Sequence, residues 1–161
     1  MTVTVGALLT GTWTADQLET QGNAPGVGAH FTAPGGKIYK FVQYDTGAGS
    51  VAAVAGNICY YYAPSGASAG ATSVVTSDLS DSSEIGAGVL QSAPGDGEYC
   101  WIQIKGPATI TPALTAGADG DTLTATGATD GTLDVSTAST DPIVAYAIDA
   151  SAKIIMCDFP F

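Results

Sequence analysis

The clearest pattern along the chain is the strict alternation of residues 98–105, Glu-Tyr-Cys-Trp-Ile-Gln-Ile-Lys. Apolar and amphipathic residues separate onto two faces: Cys100, Ile102 and Ile104 on one, and Tyr99, Trp101, Gln103 and Lys105 on the other. A period of two is typical of a β-strand. Turn residues bound this run on both sides, at 94–97 and at 106–107. We therefore predict a strand with one apolar face and one aromatic face.

Shorter runs of the same kind predict further strands before this one. They lie at 37–44, 58–62, 73–77 and 85–90, and glycine-rich or polar turns separate them. In the first run, Ile38, Val42 and Tyr44 share one side, whereas Tyr39 and Phe41 share the other. Strands this short with turns this frequent indicate an all-β protein.

The second half of the chain follows the same order of elements. Its runs at 122–125, 131–135, 143–148 and 153–158 correspond in turn to 58–62, 73–76, 85–90 and 99–104. Gly120-Asp121 precedes the first of them as Gly56-Asn57 precedes its counterpart. We interpret this as an internal duplication and predict a small β-barrel or sandwich built from two pseudo-repeated hairpin units. The β domain would span 37–161, with sub-modules at about 37–106 and 107–161.

Residues 1–36 lack a comparable pattern. Thr2 to Val5 is a candidate short strand, and 14–20 a candidate helical turn with Thr14 as its N-cap. A segment this long with so little pattern is usually laid over another surface. We predict an irregular N-terminal arm that becomes ordered against a partner subunit.

Charge narrows the choice of partners. The 161 residues carry a formal net charge of −11, from 15 acidic residues against four lysines, with no arginine. Nucleic acids and anionic membranes attract clustered basic residues, so we expect contact with neither. No run is long enough to span a bilayer, and the N-terminus is a poor signal peptide. We expect folding in a reducing cytosol, with Cys59, Cys100 and Cys157 as buried thiols.

The sharpest catalytic candidate is Asp45-Thr46-Gly47. Asp-Thr-Gly is the signature of aspartic proteases, and one copy per chain would require a dimer in which two carboxylates share a proton. Gln43, however, stands where those enzymes keep an apolar residue. We favour a local turn, in which aspartate caps the backbone and glycine takes a positive φ.

Other candidate sites are weaker. Asp119-Gly120-Asp121 leaves a weak calcium site open, but its spacing fits hairpin turns better than a calcium loop. His30 is the only histidine, so neither a serine-type triad nor a zinc site is indicated. We therefore predict no catalytic residue, cofactor site or metal site, and no enzymatic activity.

Five aromatic residues form the remaining candidate set: Tyr60, Tyr61, Tyr62, Tyr99 and Trp101. Aromatic rings stack on sugars, but they also fill cores and anchor oligomer interfaces. We favour core and interface, with a glycan-binding β module of a phage fibre or tail as the alternative function.

Several segments together resemble the head decoration, or capsid cement, proteins of tailed bacteriophages. They are 37–44 (Lys-Ile-Tyr-Lys-Phe-Val-Gln-Tyr), 55–60 (Ala-Gly-Asn-Ile-Cys-Tyr), 84–91 (Glu-Ile-Gly-Ala-Gly-Val-Leu-Gln), 97–106 (Gly-Glu-Tyr-Cys-Trp-Ile-Gln-Ile-Lys-Gly) and 118–123 (Ala-Asp-Gly-Asp-Thr-Leu). The resemblance covers roughly residues 37–161 and rests mainly on the order of the elements.

The resemblance implies a structural virion protein. Such proteins are all-β, often homotrimeric, and bind the outside of the capsid, where they clamp neighbouring copies of the major capsid protein. For this chain it implies a protein made in the host cytoplasm and located on the capsid exterior. We expect an acidic, abundant shell protein of this kind to bind by shape, strand addition and arm exchange, with the N-terminal arm and the aromatic β surface making the contacts.

Overall fold

A computed structural model describes residues 7–20, 24–65 and 73–160. The strands it contains are β1 (Thr12–Trp13), β2 (His30–Thr32), β3 (Ile38–Tyr44), β4 (Ile58–Tyr62), β5 (Val74–Thr76), β6 (Ser82–Leu90), β7 (Tyr99–Thr109), β8 (Thr122–Thr124), β9 (Asp134–Val135), β10 (Ala145–Asp149) and β11 (Ile154–Asp158). One short helix, α1 (Ala15–Thr20), and a 3-10 turn at Leu79–Asp81 accompany them. The strand predicted at Thr2 to Val5 lies outside the described residues.

The prediction of an all-β fold is confirmed, and its centre is a closed barrel of five strands. Neighbouring strands follow the order β3-β5-β4-β6-β7, and β7 closes the ring by pairing with β3. Only the β3–β5 pair of this ring is parallel. Closure removes the free edges that a flat sheet of this length would expose.

Strand β7 belongs to both halves of the molecule. Residues 99–105 pair with β3 inside the barrel, and residues 105–109 pair with β11 outside it. Gly106 lies where the strand passes from one to the other, with φ of 90°. A Cβ there would come within 3.1 Å of the Lys37 side chain, so this passage requires glycine.

The two predicted faces of β7 are confirmed. Cys100, Ile102 and Ile104 are fully buried in the main core, which takes side chains from both halves of the chain. Trp101 lies on the opposite face in a separate aromatic cluster, with Tyr99 packed against it. The same division holds for β3, as its alternation predicts.

The duplicated order of strands is also present. The neighbours β5-β4-β6-β7 of the first unit are matched by β9-β8-β10-β11 in the second. Both units close their hairpin in the same way. In the first unit, Gly56 N–H donates to Leu90 O, and Leu90 N–H donates to Asn57 O. In the second unit, Gly120 N–H donates to Ala147 O, and Ala147 N–H donates to Asp121 O.

The predicted alignment of the last two strands is wrong by one residue. The shared hydrogen bonds make Ala147, and not Ile148, the counterpart of Leu90. Leu90 stands opposite Ile102, and Ala147 stands opposite Ile155, so Ile155 is the counterpart of Ile102. In this register β10 turns its small residues inward: Ala145 and Ala147 are buried, whereas Tyr146 and Ile148 are exposed.

The described part of the N-terminal arm lies on this chain's own β-sheet. β2 pairs with β3, and β1 pairs with the start of β7. The prediction that Thr14 caps a helix is confirmed, since its Oγ1 accepts the Gln17 N–H at 3.3 Å. Gln17 Oε1 accepts the Thr14 N–H in return, at 2.9 Å, which completes a capping box.

Candidate interaction surface

The outer face of β3 and β7 carries an aromatic cluster that the N-terminal segment covers. We define this cluster as Tyr39, Phe41, Tyr99 and Trp101, together with the covering residues Trp13 and Phe31. Trp13 meets Phe41 edge-on with ring centroids 5.2 Å apart, and Phe31 meets Trp101 in the same way at 6.3 Å. Edge-to-face pairs at these distances are favourable beyond the apolar area they bury.

Covering this face leaves one buried polar atom, Trp101 Nε1, without a hydrogen-bond partner among the described residues. Trp101 is only 3% exposed. An unpaired buried N–H costs roughly 1–3 kcal/mol, about the same as burying one large apolar side chain contributes. Because the cluster buries several aromatic rings, the free energy gained by their burial exceeds the cost of this unpaired N–H group, and the covered arrangement is favoured.

The corresponding outer face of the second unit is uncovered. We call it the β10–β11 face and define it by Tyr146, Ile148, Ile154 and Met156, with Pro107 of β7 beside them. Tyr146 stands opposite Met156, and Met156 stands opposite Pro107, so the three form a row across the strands. Tyr146 is 43% exposed, Ile148 44% and Met156 40%. Because these large apolar residues adjoin one another on the surface, the face is a candidate interaction site.

Acidic residues border the β10–β11 face. Asp158 follows Met156 on β11 and forms an ion pair with Lys105 of β7. Asp149 ends β10, and Asp121 immediately precedes β8, the neighbour of β10 on its other side. An apolar centre with a charged margin is the usual anatomy of a protein–protein interface.

Asp45, the predicted catalytic candidate, lies in a loop where four consecutive backbone N–H groups donate to four different aspartates. Thr46 donates to Asp96, Gly47 to Asp45, Ala48 to Asp81 and Gly49 to Asp78. Asp45 therefore caps its own turn, at 2.9 Å from the Gly47 nitrogen, and Gly47 has φ of 70°. This is the local turn that the sequence favours over a protease site.

Asp78 is the aspartate of this loop with a perturbed pKa. Burial disfavours its charged form, but hydrogen bonds from the Ser80 side chain and from the Gly49 and Ser80 N–H groups outweigh burial. The pKa of Asp78 is consequently lower than that of an ordinary aspartate. The carboxylate holds the loop to the 3-10 turn, which is a structural role.

Asp119 and Asp121, the candidate calcium ligands, also accept hydrogen bonds from the backbone. Asp121 accepts the Ala118 N–H at 2.8 Å, and Asp119 accepts the Ala150 N–H at 2.8 Å. Both carboxylates thus stabilise turns at the same end of the second unit. Nowhere in residues 7–20, 24–65 and 73–160 do three His, Cys, Asp or Glu side chains gather as metal ligands would.

The five aromatic candidates do not share one surface. Tyr60 and Tyr61 belong to the main core, whereas Tyr99 and Trp101 belong to the aromatic cluster. The Tyr60 hydroxyl donates to Thr132 O at 2.6 Å and accepts the Thr132 N–H at 3.0 Å, which ties the first unit to the second. Tyr60, Tyr61 and Trp101 are too buried to stack on a sugar.

The three cysteines are buried and unpaired, as predicted. Burial raises the pKa of Cys100 and of Cys157 to about 12, so neither thiol ionises near neutral pH. His30 is exposed on β2, where its backbone stands opposite Lys40 of β3.

A cavity of about 350 Å³ lies beside β3, β6 and β7. Lys37, Tyr39, Gln91, Gln103 and Thr111 contribute its polar lining. The most buried polar group there, the Gln103 side-chain amide, already donates to the carbonyls of residues 105, 106 and 107. Its hydrogen bonds hold the end of β7, so they are not available to orient a ligand.

Sequence reasoning missed the β10–β11 face. The signal was present in residues 145–148, Ala-Tyr-Ala-Ile, where small and large apolar residues alternate. Because successive side chains of a strand point to opposite sides, a strand that buries its small residues exposes its large ones.

No protein-family model matches the chain, and neither a curated protein nor a solved structure matches it significantly. In the part of the chain that the structure describes, no helix is long and apolar enough to cross a membrane.

Proposed function

We propose that this chain is a structural virion protein that binds the outer surface of a phage capsid and stabilises the lattice of its major capsid protein. The proposal begins from the resemblance of residues 37–161 to head decoration proteins. The observation that carries it furthest is the β10–β11 face, an apolar sheet surface left uncovered on an otherwise acidic chain. Such a surface serves binding to another protein.

Other features support a structural role over a catalytic one. Asp45, Asp119 and Asp121, the carboxylates singled out as candidate sites, accept backbone N–H groups in turns. The main core takes side chains from both units, which joins them into one folded body. In this proposal the chain acts as a homotrimer on the capsid exterior, without enzymatic activity, nucleic acid or membrane contact.

Capsid binding tests the proposal directly. Purified chain is added to expanded capsids of the phage whose genome encodes it, assembled without this protein. We expect the chain to sediment with the capsids to a saturating, symmetric occupancy, and to raise the temperature at which the shells rupture. A chain that leaves the capsids unoccupied at micromolar concentration would refute the proposal.

Light scattering of the free protein, with and without EDTA, tests the oligomer. A trimer that EDTA does not change is expected. A dimer would instead revive the shared-carboxylate protease hypothesis at Asp45, which Asp45→Asn would then examine.

A further inference from the structure

We propose that the β10–β11 face is the docking surface, and that it seats a patch of the capsid protein whose apolar centre is flanked by lysine or arginine. This inference rests on the proposed function and adds which face makes the contact and what chemistry it meets. It follows from three properties of the face: its uncovered apolar row, its acidic surroundings and the two neighbours that each of its strands already has.

The apolar row has a covered counterpart in the first unit. In the shared alignment, Ile154 and Met156 of β11 take the places of Trp101 and Gln103 of β7. Gln103 is only 3% exposed, whereas Met156 is 40% exposed and its neighbour Tyr146 is 43% exposed. The position that Met156 shares with Gln103 is thus buried within the chain in the first unit and exposed in the second.

The charge around the β10–β11 face determines what kind of partner surface can bind it. Residues 107–161 contain seven aspartates and a single lysine, Lys153. The Lys153 ammonium donates to the Thr111 carbonyl, and the Lys105 ammonium is bound to Asp158. A second copy of this chain would bring one acidic margin against another. A partner with basic residues around an apolar patch complements both the centre and the margin.

Backbone pairing excludes strand addition at this face. β10 lies between β8 and β11, and β11 lies between β10 and β7, so both strands already have two neighbours. A partner must therefore be recognised through side chains that project from the sheet. A flat row of Tyr146, Met156 and Pro107 favours a broad, shallow contact with Tyr146 as its aromatic anchor.

The test compares two variants on capsids assembled without the chain. The double variant Tyr146→Ser with Met156→Ser removes the apolar centre, and Asp158→Asn removes one charge of the margin. Val54→Ser and Glu84→Gln are matched controls, because Val54 is 45% exposed and Glu84 is exposed outside the face. Circular dichroism and melting temperature establish that each variant is folded.

We expect the double variant to bind capsids at least about tenfold more weakly, the cost typical of losing an interface anchor. Asp158→Asn should bind more weakly at low salt and lose part of the salt dependence of wild-type binding. Both controls should bind as wild type does.

Each other outcome is decisive in a different way. If wild type binds and the double variant binds equally well, the docking face is wrong and the proposed function stands. If wild type fails to bind, both proposals fail together. If the free wild-type protein self-associates and the double variant is monomeric, a second copy covers this face, which overturns the basic partner.

Discussion

The two units share a strand order and a hairpin but treat their outer faces in opposite ways. In the first unit, the outer face of β3 and β7 is aromatic and lies under residues of the chain's own N-terminal segment. In the second, Tyr146, Ile148 and Met156 are exposed. A duplicated scaffold thus keeps its backbone pairing while its outer side chains diverge: one set is covered by the chain itself, and the other is exposed.

The core-facing sides of the two units also differ, in the size of their side chains. The first unit packs Tyr44, Tyr60 and Ile102 inside a closed barrel, whereas β10 of the second unit contributes Ala145 and Ala147. Leu133 and Phe159 supply large side chains to the same core from outside β10. One core nevertheless includes both units, so we expect them to unfold together.

The largest expected effect comes from charging equivalent core positions, Ile102→Asp in the first unit and Ile155→Asp in the second. Both side chains are fully buried. An unpaired buried carboxylate costs several kcal/mol, comparable to the whole stability of a domain, which is about 5–15 kcal/mol. Both variants should lose the cooperative thermal transition measured by circular dichroism.

Met156→Asp is the control for this comparison, since Met156 neighbours Ile155 but faces outward. It should melt cooperatively near the wild-type temperature. An Ile155→Asp protein that keeps a separate melting transition for the first unit would contradict the single shared core.

The hairpin glycines offer a finer comparison. Gly56 and Gly120 have φ of 87° and 89°, so alanine is strained at either by about 1–2 kcal/mol. A Cβ at Gly56 would also overlap Thr111 Oγ1, with the Thr111 backbone nitrogen at 3.0 Å, whereas a Cβ at Gly120 meets nothing within 4 Å. Urea unfolding should show Gly56→Ala to be the more destabilising by at least about 1 kcal/mol. Equal losses would mean that the two hairpins are equally open.

The covering segment can be tested with Trp13→Ala. Trp13 is half-buried against Phe41, and its removal should cost about 2 kcal/mol. Met156→Ala on the uncovered face should change stability by less than about 0.5 kcal/mol. Trp101 is then the only tryptophan in the Trp13→Ala protein, so a red-shifted emission would report the loosened cover. Unchanged stability and emission would show that the segment contributes little to this face.

Local alternation allowed much of the fold to be predicted from the sequence. Both faces of β3 and β7 follow from a strict period of two, and Gly56-Asn57 and Gly120-Asp121 mark equivalent hairpins. These features depend on neighbours in the chain, where propensity and pattern agree.

The parts that depend on distant contacts were not predictable. Trp13, Leu18 and Phe31 are widely spaced and have no period, so nothing local shows that they cover one aromatic face. Which side of β10 is exposed likewise depends on how the strand packs against a core that both units build. The candidate interaction surface was therefore missed, although its residues alternate plainly in the sequence.

The smallest expected effect concerns Asp78, which holds the loop at residues 46–49 in the first unit, and the pH dependence of its contribution to stability. Because the pKa of Asp78 is lowered in the folded protein, the unfolded chain binds a proton there at a higher pH than the folded one. The stabilisation by Asp78 is therefore complete above the ordinary aspartate pKa of about 3.9, and is lost as the pH falls below it. Urea unfolding of wild type and Asp78→Asn should differ most at neutral pH and converge in acid. Glu84→Gln is the control, because it removes an exposed charge elsewhere and so separates the local effect of Asp78 from the change in net charge. If wild type and Asp78→Asn differ in stability by the same amount at every pH, the contacts with Gly49 and Ser80 do not depend on the charge of the carboxylate.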